Sequence, residues 1–258
     1  MIANYHTHTA RCGHARGEDR EYVEQAIARG LKVLGFSDHV SMPFEGGRES
    51  SFRIPLAQLE DYVTTVLALR REYQQDIRIC LGFEAEYYPD YWDRMWEMLA
   101  PYPVDYLILG QHFNDSRELS YNARPQEAET VLKAYVDGVL GGLATGAFLY
   151  LAHPDLIHFT GNDALYRREM ERLCRGAKEL DVPLEFNLLG LREGRNYPDK
   201  RFWELARQVG NRCIIGCDAH DPRDVADPDQ LERALSMVRA LGLEPESSLP
   251  IKGIAPRG

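Results

Sequence analysis

Short apolar runs alternate with longer amphipathic stretches along this chain, and that alternation restricts the fold more than any other feature. Ile2–Tyr5, Leu31–Phe36, Ile77–Phe83, Val104–Leu109, Phe148–Ala152, Pro183–Phe186 and Cys213–Gly216 read as seven strands. Between them, Asp19–Arg29, Leu56–Gln74, Tyr91–Leu99, Pro125–Leu143, Asp163–Leu180 and Asp199–Gln208 read as helices, with Gly30 as the C-terminal stop of the first. A last helix follows the seventh strand. Asp227 is its N-cap, Pro228 takes the first helical position and Gln230 sits where a capping box wants it. Leu231, Ala234, Leu235, Val238 and Leu241 form its apolar face, and Gly242 ends it. Strand then helix, repeated, predicts a parallel sheet covered by helices. That pattern leaves two closures open, a barrel and an open doubly wound sheet. No Gly-x-Gly-x-x-Gly follows the first strand, which counts against dinucleotide binding.

At 258 residues, with no linker or repeat, the chain is expected to form a single domain over residues 1–258. The net charge of −10 argues against a protein that coats nucleic acid, yet permits a small anionic substrate at a metal site. Residues Met1–Tyr5 show no basic cluster and no apolar leader core. The longest uncharged stretch, Gly138–Ala152, is too short and glycine-rich to span a bilayer. The cysteines, Cys12, Cys80, Cys174, Cys213 and Cys217, are odd in number and lack a framework spacing, so free thiols in a reducing cytoplasm are expected.

The histidines gather at the ends of the expected strands. His6 and His8 close the first, and His14 follows in its loop. Asp38 and His39 close the second, Glu84 and Glu86 the third, His153 the fifth, Asn187 the sixth, and Asp218 with His220 the seventh. His112 follows the fourth, while His158 lies further out, in the loop after the fifth. The C-terminal strand edge is where barrels and open α/β sheets build their sites. Residues i and i+2 share a strand face, so His6 with His8, and Asp218 with His220, each project as a pair. Imidazoles and carboxylates together suit zinc, iron or manganese, and there are too many ligands here for one ion.

These residues resemble the PHP (polymerase and histidinol phosphatase) family. The marks are His6-Thr7-His8-Thr9, Ser37-Asp38-His39, Gly82-Phe83-Glu84, Gly110-Gln111-His112, Ala152-His153-Pro154 and Asp218-Ala219-His220, in family order over nearly the whole chain. Arg53 with Leu59 and Tyr62, the segment Gly82–Tyr87, and Asn187 with Gly190-Leu191-Arg192 are similar to its histidinol-phosphate phosphatases. The resemblance implies a distorted, TIM-like barrel of seven β/α units and three divalent metal ions. It would give one metal His6, His8, Glu84 and Asp218, a second Glu84, His112 and His153, and a third His14, His39 and His220.

The implied chemistry is hydrolysis of L-histidinol phosphate, a step of histidine biosynthesis, through attack by a metal-bridging hydroxide. Arg192 and Arg53 are candidates to fork onto the phosphate, with Arg195 and Arg48 behind them. Asp38 is expected to orient His39 or to ligate directly. An acidic rim of Glu86, Asp115, Asp155 or Glu193 would take the substrate's ammonium, and Tyr88, Tyr121 and Phe159 are available to its ring. Three other readings share these residues: a PHP phosphoesterase acting on another small phosphate ester or nucleotide, an amidohydrolase-like metal hydrolase, and a metal-binding module without activity.

Overall fold

A computed structural model describes residues 1–251 together with Gly253 and Ile254. Its seven parallel strands lie side by side in sequence order. They are β1 (Ala3–Asn4), β2 (Val33–Phe36), β3 (Arg78–Ala85), β4 (Tyr106–Leu109), β5 (Phe148–Leu151), β6 (Leu184–Asn187) and β7 (Cys213–Gly216). The seam between first and last is closed just beyond the strands: His8 N donates to Ala219 O at 2.9 Å and Ala219 N to His6 O at 3.2 Å. The sheet is therefore a nearly closed barrel. The segments that sew it shut are those carrying the histidines.

Helices α1 (Asp19–Ala28), α2 (Leu59–Glu72), α3 (Trp92–Leu99), α4 (Glu129–Ala144), α5 (Asp163–Glu179), α7 (Lys200–Val209) and α8 (Pro228–Ala240) form the outer layer, and a short α6 (Leu188–Glu193) follows β6. Strand parity sorts the side chains. On β3, Ile79, Leu81 and Phe83 join the core beneath the helices, while Cys80 belongs to a separate apolar cluster inside the barrel. Tyr5, Tyr106, Ile108, Tyr150, Ile214 and Leu249 fill that interior. The Tyr106 hydroxyl donates to Tyr5 O at 2.8 Å and Phe36 O at 3.0 Å. A Cβ at Gly35 or Gly82 would overlap the Tyr106 side chain, so those strands are glycine where the phenol crosses them. The C-terminal segment covers the barrel's floor. Tyr5 Oη accepts from Leu249 N and donates to Leu249 O, both at 3.0 Å.

Three differences from expectation bear on the site. β3 runs two residues further, to Ala85, so Glu84 lies on the strand rather than after it. α4 starts at Glu129 rather than Pro125, because Gln126 is held extended: its N–H donates to His158 O, and its carbonyl accepts from Thr160 N, both at 2.8 Å. That pairing also gives His158 its role, a backbone one. α6 was not anticipated. The Asn187 side chain caps it through Gly190 N at 3.0 Å, and Gly194 ends it at φ 65°. Six residues are too few to show a helical period. The expected N-cap of α8 is present, with Asp227 accepting from Gln230 N at 3.0 Å. No helix among the described residues is long and apolar enough to cross a membrane.

Asp155 is a tie between layers, not part of a rim. It is buried, and its Oδ2 accepts from Asp199 N at 2.6 Å and Trp203 Nε1 at 3.1 Å, fixing the start of α7 against the loop after β5. Burial lifts its pKa to about 7, against those hydrogen bonds. Between the ordinary carboxylate value and about 7 the folded chain then holds a proton that the unfolded chain has lost, so stability contributed here falls as pH rises through that window. Asp155→Asn keeps an acceptor and removes the charge. In metal-stripped protein, urea unfolding is expected to show the variant gaining stability relative to the parent between pH 4 and pH 8, with most of the gain in place by about pH 7. An offset that is the same at both ends would remove the burial argument.

Candidate metal centre

The strand ends deliver ten polar side chains to the mouth of the barrel, and glycines make room for two of them. Glu84 points inward from β3 into space left by Gly110, and Glu185 from β6 into space left by Gly216; a Cβ at either glycine would overlap the carboxylate. His153 and Asp218 reach inward from left-handed backbone, at φ 27° and 46°. Such conformations cost about 1–3 kcal/mol in a non-glycine residue and persist only where the surroundings impose them. Asn4 bends the chain after β1, its Nδ2 donating to His6 O at 3.1 Å and its Oδ1 accepting from Cys217 N at 2.9 Å.

Four buried atoms converge without a hydrogen-bond partner: His6 Nε2, His8 Nε2, Glu84 Oε2 and Asp218 Oδ1. Both nitrogens lie 3.5 Å from Glu84 Oε2, and Asp218 Oδ1 lies 3.5 Å from His6 Nε2 and 3.1 Å from His8 Nε2. Donors held about 2.1 Å from one zinc ion at tetrahedral corners stand about 3.4 Å apart. Unpaired buried polar atoms are costly, and a shared cation satisfies all four at once. The donor set fits a metal.

The other oxygen of Glu84 faces a second group: His153 Nε2 at 2.8 Å and His112 Nε2 at 3.6 Å. On the far side His14, His39 and His220 close a third group against His8. His8 stacks on His220 at 4.0 Å between ring centres, and His14 lies 4.8 Å from His220 and 5.3 Å from His39. His39 Nδ1 lies 3.1 Å from Glu84 Oε2 and is itself unpartnered. All nine residues expected as ligands are thus brought together.

Five imidazoles meet an oxygen with Nδ1, which leaves Nε2 for the centre. His6 meets Glu185 at 2.7 Å, His8 meets Asp38 at 3.3 Å, and His112 meets Glu86 at 2.8 Å. His14 and His220 meet the carbonyls of Cys12 and Asp218 at 3.0 and 3.1 Å. Asp38 holds His8, and it also accepts from the backbone N–H of Thr9 and of His39. Burial disfavours a proton on His6, but Asp218, Glu185 and Glu84 outweigh it and lift its pKa to about 10. His8 is likewise raised, by Asp218 and Asp38 against burial. Burial pushes Glu84 and Asp218 up, and the surrounding imidazoles pull both well below the usual carboxylate range. In the protein alone, protons balance these buried carboxylates; a bound cation would take their place.

Above the centre opens a cavity of about 620 Å³. Its walls beyond the metal cluster include Phe52, Glu118, Leu119, Tyr121, Arg124, Glu193, Arg195 and Tyr197. Arg192 is not among the lining residues; its guanidinium pairs with Asp224 at 3.0 Å. Arg53 is buried between Glu86 and Glu118. Arg48 also reaches Glu118, at 3.6 Å. Of the carboxylates weighed for a rim, Glu193 lines the cavity paired with Arg195 at 2.7 Å, Glu86 is spent on His112 and Arg53, and Asp115 pairs with Arg117. Tyr121 is a wall residue, whereas Tyr88 is buried beside Arg53 and Phe159 packs on Tyr166.

The PHP domain family model matches residues 4–188. This chain belongs to the PHP domain family. Its relatives include a probable histidinol-phosphatase of Deinococcus radiodurans, 28% identical over 234 residues, covering 87% of this chain and 88% of that protein. A histidinol-phosphatase of Bacillus subtilis is 26% identical, covering 85% of this chain and 94% of that protein. Among solved structures, the histidinol phosphate phosphatase of Lactococcus lactis in complex with zinc, L-histidinol and phosphate superposes with a TM-score of 0.71. It is 18% identical, with 96% of each chain covered.

Among the residues that hold the histidines, the one the sequence did not disclose is Glu185, and the cavity wall adds Phe52, Glu118, Arg124 and Tyr197. Fully buried, Glu185 takes His6 Nδ1 on Oε1, and on Oε2 it accepts His153 N at 3.0 Å and Asn187 Nδ2 at 2.9 Å. One available signal is chemical: a glutamate inside a covered parallel strand needs a partner. Glu185→Gln would turn an amide N–H toward donors and leave His6 without its carboxylate. Zinc affinity, measured by competition with a chromophoric chelator, should fall by about 10–100-fold while the circular dichroism spectrum stays unchanged. An unaltered affinity would return Glu185 to a packing role.

Proposed function

We propose that this PHP protein is a metal-dependent phosphatase that hydrolyses L-histidinol phosphate to L-histidinol and phosphate. The observation that carries the metal reading is the convergence of four unpartnered buried donors, His6 Nε2, His8 Nε2, Glu84 Oε2 and Asp218 Oδ1, at 3.1–3.5 Å. The substrate is supported by the relatives named histidinol-phosphatase, which this chain matches over more than four fifths of its length.

In this reading His6, His8, Glu84 and Asp218 hold one ion, Glu84, His112 and His153 a second, and His14, His39 and His220 a third, with zinc, iron or manganese as occupants. When bound, such ions supply an activated water at neutral pH and positive charge for the phosphoryl oxygens. The chain's own work is positional. Glu84 divides its two oxygens between two histidine groups, and Glu185, Asp38 and Glu86 hold the imidazoles that face them. Arg195 and Arg124 line the cavity; Arg195 is paired with Glu193 at 2.7 Å, so a phosphate there would meet Arg124 and compete for that pair. Glu193 is placed for an ammonium on the wall, and Phe52, Tyr121 and Tyr197 offer faces to a flat ring. At about 620 Å³ the cavity has room for a small phosphate ester.

Glu84→Ala removes a donor from two groups at once, so metal content by elemental analysis and phosphatase activity should fall together. Full metal occupancy in an inactive Glu84→Ala protein would falsify the bridging role. A site that pairs a cationic amine discriminates against substrates lacking it, so histidinol phosphate should exceed a neutral aryl phosphate in kcat/KM by at least about 10²-fold. Faster turnover of a nucleotide or a cyclic phosphodiester would keep the phosphoesterase and discard this substrate.

A further inference from the structure

Arg53 lies outside the cavity, yet it stands between the metal centre and the cavity's wall. Its side chain is 2% exposed. One arm, Nη1, lies 2.5 Å from Glu86 Oε2, and Nε and Nη2 both reach Glu118 Oε1, at 2.8 and 2.7 Å. Each carboxylate leads elsewhere. Glu86 Oε1 holds His112 Nδ1 at 2.8 Å, and His112 Nε2 faces Glu84. Glu118 sits at φ 57° in the excursion from Phe113 to Tyr121, which begins directly after His112 and supplies Glu118, Leu119 and Tyr121 to the cavity.

That excursion is tied at its two ends by side-chain amides: Gln111 Nε2 donates to Phe113 O at 2.7 Å, and Asn114 Nδ2 to Val131 O and Asn122 Nδ2 to Asn114 Oδ1, both at 3.0 Å. Its base is closed by Asn122 N donating to His112 O at 2.8 Å, and Tyr121 stacks over the His112 ring at 6.2 Å. Its tip is bare, with Leu119 76% exposed. The anchors at its middle are guanidiniums from the segment between β2 and α2: Arg53 on Glu118, and Arg48 on Glu118 and on the carbonyl of Ser116. Phe52, next to Arg53, packs on both His39 and His112, at 4.7 and 5.5 Å between ring centres.

We propose that Arg53 is a positioning residue that joins the His112 ligand to the Phe113–Tyr121 wall through the chain His112–Glu86–Arg53–Glu118. Arg53 is a buried cation shared by the buried Glu86 and by Glu118 on the cavity wall, and it fixes where both carboxylates stand. With Glu118 replaced by glutamine, Arg53 loses one of its two anchors, and Glu86 is held less firmly against His112 Nδ1. The imidazole is then less well aimed at Nε2, although Glu118 touches neither the ring nor the centre. Arginine is required because its planar fork serves both carboxylates at once, which a lysine ammonium on a flexible stem does not.

The proposal rests on the metal reading above, and its test separates the two. Zinc affinity would be measured by chelator competition on metal-stripped Glu118→Gln, Arg53→Met, Arg53→Lys and the Arg53→Met/Glu118→Gln double variant. Limited proteolysis within residues 113–121 would be followed in parallel. Expected are a loss of zinc affinity of at least about tenfold in Arg53→Met and a smaller loss in Glu118→Gln, on the scale of groups that orient a ligand. Adding Glu118→Gln to Arg53→Met should cause no further loss, and Arg53→Lys should restore neither affinity nor protease resistance. If Arg53→Met does not fold, Glu86→Gln takes its place in the cycle with the same expected non-additivity. Unchanged affinity in Glu118→Gln, strict additivity, or full rescue by lysine overturns the coupling while leaving the metal site standing. Absence of zinc binding by the unaltered protein overturns both.

Discussion

Buried charge at the mouth of a barrel is the constraint on which the rest of this protein depends. Glu84, Glu185 and Asp218 are almost wholly removed from water at the open end of a parallel sheet, where isolated carboxylates are prohibitively costly. Every surrounding choice answers that cost. Gly110 and Gly216 leave the volume, His153 and Asp218 accept left-handed backbone, and the imidazoles ring the carboxylates with donors. Within the centre, the atoms left unsatisfied, His6 Nε2, His8 Nε2, His39 Nδ1, Glu84 Oε2 and Asp218 Oδ1, face one another. A site of this kind is poorly balanced without cations and well balanced with them, so metal binding and local order are one process.

The next layer outward is acidic as well. Glu185, Asp38 and Glu86 each spend an oxygen on an imidazole, and each is held in turn: Glu185 by Asn187 and the backbone of His153, Asp38 by Thr9 and His39, Glu86 by Arg53. Orientation is thereby passed from the strands to the imidazoles of His6, His8 and His112 in two steps. The cation–carboxylate chain through Arg53 extends this arrangement into the loop that walls the cavity.

The parts legible in the sequence were those with a period or a fixed offset. Seven apolar runs between amphipathic stretches marked the strands of a parallel sheet, the family resemblance implied the barrel, and the i, i+2 spacing of His6 with His8 placed both imidazoles on one side. Glu185 escaped because Leu184-Glu185-Phe186-Asn187 reads as an ordinary strand until one asks what a buried glutamate meets. Arg53 and Arg192 looked available to a phosphate because sequence shows a charge and not its partner; Glu86, Glu118 and Asp224 lie far from them along the chain. The cavity wall from Glu118 to Arg124 is loop, with no periodicity to read. Its shape is set by tertiary contacts, the ion pairs of Glu118 and the hydrogen bonds of Asn122 among them.

The covered floor of the barrel has a kinetic meaning. Tyr5, Tyr106 and Tyr150 fill the interior and Leu249 lies across the bottom through its bonds to Tyr5, so traffic through the site uses the upper mouth. In the proposed reading, an ester seated with its phosphoryl group at the centre would have its alcohol toward that mouth, so the alcohol would leave first and inorganic phosphate last. Free phosphate would then re-enter the empty well and compete directly with the next ester, and turnover would slow where phosphate is abundant.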